Sequence, residues 1–358
     1  MLIEIGIKAV LAVIMLMGAL NLAGLLTWVE RKQSAVMQDR IGANRASIFG
    51  IRILGLFHPL ADVLKMLAKE DFIPKGADKM LYRLAPFLSV FFAIPAFAAI
   101  PFGNALKIGE RVISLQVADL PVGLLYIFAM MSMGVYGVVL AGISSNNNYA
   151  FLGGLRASSQ MISYEVTMGV AVIGIVMVYE SMSLQEIVRA QGATLWNVIP
   201  KWGVVVQPLG AILFFVAAMA ETKRIPFDLP EGESEIIGYF VEYSGMKFGM
   251  FFLTDFLETV LLACMMTTLF FGGWQIPYLY PYGFHFPWGA LLPLPSLWVV
   301  LLGIASFTLK VLFFCWLLMT IRWTLPRFRY DQLMRLGWKM ILPLSLANIL
   351  VTAIFLLV

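Results

Sequence analysis

Apolar residues run through this chain in unbroken blocks, and block length carries more information than any short period. Uncharged stretches cover residues 9 to 29, 84 to 106, 120 to 155, 202 to 220 and 340 to 358. About 20 apolar residues in a helix span the ~30 Å hydrocarbon core of a bilayer, so each stretch predicts a transmembrane helix. Residues 259 to 309 are uncharged for 51 positions, too many for one crossing. The turn-rich YLYPYGFHFPWG divides them and predicts helices near 246 to 272 and 294 to 321. A further helix near 158 to 180 is interrupted only by Glu165, which makes eight. A membrane β-barrel would require segments of about ten alternating residues, and LLACMMTTLFF does not alternate. The expected class is therefore all-α: a polytopic membrane protein, with residues 1 to 358 forming one membrane domain. The first apolar run lacks a small-residue cleavage site and is read as a retained helix rather than a signal peptide.

Polar positions collect between the blocks. In the loop 30–79, residues Ile48 to Leu67 place Phe, Ile, Leu and Met among Arg52, Asp62 and Lys65 at near-helical spacing, which predicts an amphipathic helix in the membrane interface. It either anchors the surface or lines a cavity for an amphiphilic ligand. In the loop 223–245, acids dominate: residues 220 to 245 hold six of the chain's 21 carboxylates. Asp228, Glu235 and Glu242 recur every seven residues, and Glu231 precedes Glu235 by four. A helix would align these four on one stripe, although Pro226 and Pro230 break its start. Like charges beside a low-dielectric region raise one another's pKa; the plain alternative is a solvated acidic loop.

Other ionisable groups fall within predicted spans. Glu165 lies in the fourth helix, Glu221 ends the fifth, Asp255 and Glu258 lie in the sixth and Lys310 in the seventh. A charge at the bilayer centre costs roughly 2.5 to 3.5 kcal/mol on insertion scales, and such residues usually face a bundle interior or relay protons. Together they predict a proton path, against the alternative that Glu221 and Glu258 sit shallow and snorkel.

Composition agrees with the block pattern: 61% of residues are hydrophobic and 13% charged, against about 25% charged in soluble domains. Lysine and arginine set orientation. The loops after helices 1, 3, 5 and 7 carry 18 of them and the loops after helices 2, 4 and 6 carry 4, which predicts cytoplasmic odd loops and both termini on the periplasmic side of an inner membrane. The net charge of +4 is this bias and implies no nucleic acid. With Cys264, Cys315, His58 and His285 as the only Cys and His residues, and no CxxC, ligation of zinc, haem or an iron-sulphur cluster by this chain alone is not expected.

Four strings together resemble one family: ERK with MQDRIGANR at 30 to 45, SNNNYAFLGGLRASSQMISYE at 145 to 165, AETKRIPFDLPEGESE with EYSGMKFG, and TLPRFRYDQLMRLGWK at 324 to 339. Over its whole length the chain is similar to the NuoH family, the H-type membrane subunits of NADH-quinone oxidoreductase (respiratory complex I). The resemblance implies eight transmembrane helices with an interfacial helix in the first loop. It also implies a proton-translocating enzyme component, inactive alone, that builds a quinone chamber against peripheral-arm subunits, one of which holds the terminal iron-sulphur cluster. Iron-sulphur clusters and FMN would reside in partners, quinone would be the substrate, and this chain would bind no covalent cofactor. Small membrane subunits, antiporter-like subunits and lipid would be its neighbours in the bilayer.

Matched by position, the resemblance puts Glu30, Arg31, Arg40, Asp62, Tyr164, Arg224 and Phe252 at the chamber, with Glu70 after the interfacial helix. It assigns Glu165, Glu221, Asp228, Glu231, Glu233, Glu235, Glu242 and Asp255 to a proton relay, and Arg45, Arg327, Arg329 and Arg335 to the peripheral-arm interface in the loops 30–79 and 322–339. The chain departs from the family where Ala43 replaces a proline and where Asp255 and Phe256 stand for the usual Glu and Tyr. Two rival readings are the equivalent component of a ferredoxin-linked or hydrogenase complex and a stand-alone proton-coupled carrier; the carrier reading would favour an internal repeat, and none is evident.

Overall fold

In a computed structural model, which describes residues 2–108, 111–195, 198–232 and 235–357, the chain is a bundle of long helices. In chain order these are α1 (Leu2–Met37), α2 (His58–Ala68), α3 (Lys79–Ala96), α4 (Gly123–Ser144), α5 (Asn148–Tyr179), α6 (Leu184–Ala190), α7 (Gly203–Val206), α8 (Pro208–Glu221), α9 (Gly245–Phe270), α10 (Ser296–Thr324), α11 (Tyr330–Arg335) and α12 (Leu342–Leu357). A π-helical turn, Leu336–Ile341, joins α11 to α12. Among the described residues, seven helices are long and apolar enough to cross a bilayer, and α8 is a shorter apolar helix at the fifth predicted span. Alternating direction gathers the basic loops at one end. The opposite end carries short hairpins: Leu106–Ile108 with Arg111–Ile113, Thr194–Leu195 with Ile199–Pro200, and a three-stranded piece from Leu279–Tyr280, Gly283–His285 and Leu291–Pro293.

The axis of the bundle is α9, buried without a break from Thr254 to Phe270, with α1, α3, α8 and α10 packed on it. Small residues let neighbouring helices approach closely, as expected where lipid supplies no hydrophobic drive between helices. A Cβ on Gly137 of α4 would meet Ser89 Oγ of α3 at 2.2 Å, and one on Gly142 would meet Ala150 O of α5 at 2.8 Å.

Several predicted boundaries are corrected. The uncharged run 120 to 155 is two helices, because Asn146 takes a left-handed φ of 50° and Asn147 caps α5 by accepting from Tyr149 N at 2.9 Å. Absence of charge conceals a turn made of amides. The run 202 to 220 breaks at Gln207, where Pro208 occupies the first position of α8, the place proline suits best. The interfacial helix is only His58–Ala68; before it, Phe49, Gly50, Leu54 and Gly55 all have positive φ, which no helix accommodates. Lastly, 222 to 244 is turn and loop with no regular helix among its described residues, so the heptad spacing of Asp228, Glu235 and Glu242 makes no stripe. Pro226, Pro230 and the positive φ of Gly232 and Gly238 override it.

Candidate functional site: a buried charge cluster at the basic end

The loop after α8 turns at Lys223, whose φ is 55°, and folds back against the bundle. Gln160 of α5 clamps it, donating Nε2 to the carbonyls of Ala220 at 2.7 Å and Phe227 at 2.8 Å. Phe227 stacks on Phe328 at 5.4 Å, and Phe328 N donates to Pro226 O at 3.0 Å. Two successive cations of this loop are thereby sent in different directions.

Lys223 enters the bundle. Its ammonium lies 3.0 Å from Asp255 and 3.3 Å from Glu258 with 2% of the side chain exposed; the i, i+3 spacing puts both carboxylates on one face of α9. Burial disfavours the ammonium, yet Asp255 and Glu258 hold its pKa above the ordinary range. Beside it, Glu221 is 1% exposed, and neither carboxylate oxygen has a hydrogen-bond partner. Glu221 interacts electrostatically with Glu165, Glu258 and Lys223, and Glu165 in turn accepts from Ser132 of α4.

Arg224 points toward α1. Its guanidinium reaches Glu30 at 3.2 Å, and Arg322 from α10 reaches the other oxygen of Glu30 at 2.8 Å. The guanidinium of Arg224 lies 3.9 Å over the ring centroid of Phe256, a cation–π contact that needs no phenol hydroxyl. Arg224, Arg322, Thr222 and Thr259 line a cavity of about 10 Å³, room for about one water.

Nearer the surface, Arg327 pairs with Asp228 at 2.8 Å, and burial raises the Asp228 carboxyl against the pull of Arg327 and Arg322. Arg156 pairs with Glu235 at 2.8 Å, Arg31 with Asp62 at 2.7 Å, and Asn147 donates to Glu242 at 2.6 Å. Burial pushes the half-buried Glu231 up to about 8, reinforced by Asp255 and Asp228 and opposed by Arg322 and Arg224. A carboxyl with that pKa keeps its proton at neutral pH and releases it as pH climbs through about 8. The native state thus binds more protons than the unfolded chain between the ordinary value of 4.5 and about 8, and this group's contribution to stability falls as pH rises across that window. An infrared band from a protonated carboxyl is expected to fade between about pH 7 and about pH 9 and to be missing in Glu231→Gln. No difference between wild type and variant at about pH 6 would show that Glu231 is ionised throughout.

The structure brings Glu30, Arg224, Glu221, Asp228, Glu231 and Asp255 to one end of the bundle, with Glu165 adjoining. Tyr164 is committed to packing: its hydroxyl donates to Leu333 O at 2.9 Å, and Gly337 lies against its ring. Phe252 is half-buried, edge-on to Phe256 at 4.9 Å. Arg40 is exposed and donates to Gln38 at 2.7 Å; Arg45, Arg329 and Arg335 are exposed, with Arg329 paired to Asp331 at 2.5 Å. Glu70 is exposed, its carbonyl accepting from Ser244 at 3.2 Å. Glu233 lies outside the described residues. Lys310 does not join the carboxylates. It caps the far end of α9, donating to the carbonyls of Phe271, Gly273 and Gln275 at 2.8, 3.0 and 2.7 Å. Sequence reasoning missed Arg322, Arg156, Asn147 and Ser132 as partners. Arg322 was visible only as one more basic residue at a helix end, and an uncharged serine gave no signal.

The chain matches a family model described as NADH dehydrogenase over residues 8–353. It is 45% identical over 327 residues to the NADH-quinone oxidoreductase H-type subunit 1 of Cytophaga hutchinsonii, covering 91% of this chain and 90% of that protein. The H-type subunit 2 of the same enzyme in Rhizobium meliloti is 46% identical over 331 residues, with 92% and 91% covered. The H-type subunit of Syntrophotalea carbinolica is 46% identical over 339 residues, with 94% and 92% covered.

Proposed function

This chain belongs to the NADH dehydrogenase family, among the NuoH-type membrane subunits of NADH-quinone oxidoreductases, and from that premise we propose that its basic end walls a quinone chamber and couples quinone reduction to proton translocation. It is a multi-pass membrane subunit of an oxidoreductase complex; the chamber, the relay and its direction are our reading. The observation that carries it is Glu221: a carboxyl 1% exposed, without a hydrogen-bond partner, within electrostatic reach of Glu165, Glu258 and Lys223. A buried carboxyl with no partner is costly to ionise and takes or gives a proton when a neighbouring charge changes.

On this reading quinone arrives from lipid beside α1, α2 and α9, and its headgroup faces Glu30, Arg224 and Arg322. Electrons come from an iron-sulphur cluster in a peripheral-arm partner, which with FMN-bearing subunits completes the enzyme; Arg45, Arg329 and Arg335, all exposed, are placed to meet that arm. Reduction of a quinone to a quinol consumes protons. The acidic loop supplies them, through Asp228 and Glu231, and the change in charge passes by Lys223 to Glu258, Glu221 and Glu165 toward the antiporter-like subunits. The basic end faces the cytoplasm and both termini face the periplasm.

Glu221→Gln in the assembled complex is the test. The amide keeps the shape and cannot carry the proton, so assembly and cluster content are expected to stay unchanged, while quinone-coupled pumping falls at least tenfold, about 1.4 kcal/mol in a rate-limiting barrier. Wild-type rates of both quinone reduction and pumping in this variant would remove Glu221 from the path.

A further inference from the structure

An apolar cavity of about 520 Å³ lies between α1, α9, α10 and the segment 97–117, and its Gln116 end is the one away from the charge cluster. It runs along α1 from Leu11 to Leu25, about 21 Å at 1.5 Å per residue, out of the ~30 Å hydrocarbon core. Ile14, Leu25 and Leu312 on its walls are exposed, so it opens sideways to acyl chains. Its volume lies within the usual range of small-molecule sites.

Asn21 and Thr308 also line the cavity and donate within their own helices, to Met17 O at 2.7 Å and Ile304 O at 2.8 Å, whereas the buried polar atom without a partner lies at one end. Gln116 lines the cavity there and is 1% exposed; its Nε2 donates to Ala99 O at 2.7 Å, and its Oε1 has no partner. Buried amide oxygens are nearly always paired, so this one calls for a donor. Lys8, three residues before Leu11, donates one of its three N–H groups to the main-chain carbonyl of Gln116. The slot thus has an unpaired amide oxygen buried in its wall and, held by the main chain of the same residue, a lysine ammonium near its head.

We propose that this cavity holds one acyl chain of an amine-bearing phospholipid, whose ammonium donates to Gln116 Oε1 and whose phosphate accepts from Lys8. A headgroup with a quaternary ammonium has no N–H for Gln116 and fits less well. The Gln116 end lies across the bundle from Glu30 and Arg224, so this occupant is distinct from the substrate proposed above, and the site stands whether or not that function holds.

Gly18 makes the test clean. It lines the cavity, and a Cβ there meets nothing within 4 Å, so Gly18→Leu fills the slot without pushing on the backbone. Membranes containing the whole complex would be illuminated with phosphatidylethanolamine or phosphatidylcholine carrying a photoactivatable acyl chain, and labelled peptides identified. The ethanolamine probe is expected to label α1 and α10 peptides of the wild type several-fold more than the choline probe, to lose that labelling at least fivefold in Gly18→Leu, and to lose its advantage over choline in Gln116→Leu. Undiminished labelling in Gly18→Leu, or equal labelling by both probes in the wild type, overturns the proposal. So does labelling of the same peptides by a photoactivatable long-tail quinone that vanishes in Gly18→Leu.

Discussion

Lys223→Met is expected to be among the most damaging single substitutions in this chain, lowering the stability of its assembled complex by about 3 to 5 kcal/mol, the cost of removing one partner from a buried ion pair. The lysine is 2% exposed and faces Asp255 and Glu258 at 3.0 and 3.3 Å. Methionine fills the volume and leaves two carboxylates uncompensated on α9, the helix on which most others pack. They must then take up protons or admit water. The loss is expected as poor retention of the chain in purified membranes and a lower melting temperature at neutral pH, smaller at acid pH where protonation relieves the repulsion. Adding Asp255→Asn and Glu258→Gln should restore most of the stability and none of the coupled turnover. If Lys223→Met alone melts with the wild type at neutral pH, the triad is not a closed ion cluster.

The same residue shows how far sequence alone reaches. Seven spans and the shorter apolar helix at the remaining predicted one were legible because the cost of burying charge in hydrocarbon is large and depends on composition, so block length survives any error in local propensity. Breaks inside blocks were not. Asn147 and Gln207 are uncharged, and their effect on the chain is a matter of capping and one following proline. The acidic loop was legible as a place where acids concentrate, but its internal geometry was misread. Seven-residue spacing has meaning only on a helix, and two prolines with positive-φ glycines deny one. Within the cluster, Lys223 and Arg224 stand next to Glu221 and Asp228 in sequence and pair with none of the described loop acids at salt-bridge distance. Their partners are Asp255 and Glu258, more than thirty residues on, and Glu30, on the first helix. Charge pairing across a bundle is set by which helices adjoin, and a single sequence does not carry that information.

The residues at which the chain departs from the expected family pattern have definite local roles. Phe256 in place of the usual tyrosine keeps a ring face for Arg224 at 3.9 Å. Asp255, one methylene shorter than the usual glutamate, still reaches Lys223 because the loop brings the ammonium up to α9. Gly42, with φ of 75°, makes the turn that a proline at Ala43 would otherwise stiffen.

Glu30→Gln is expected to have an effect of comparable size for the opposite reason. Here one carboxylate, 13% exposed, stands between two guanidiniums at 3.2 and 2.8 Å, and arginine cannot relieve the strain by losing a proton. Neutralising Glu30 leaves Arg224 and Arg322 to repel each other beside the 10 Å³ cavity. Two readouts separate the structural from the functional consequence. Thermal stability of the complex is expected to fall by about 3 kcal/mol and to recover in Glu30→Gln with Arg322→Met, because one cation then remains, stacked on Phe256. Quinone reduction is expected to stay at least tenfold below wild type in that stable double variant, since the proposed chamber would have lost a carboxylate and a guanidinium from its wall. Should stability and quinone reduction recover together, Glu30 and Arg322 act as a structural brace alone, and the chamber wall must be sought among other residues of α9 and the acidic loop.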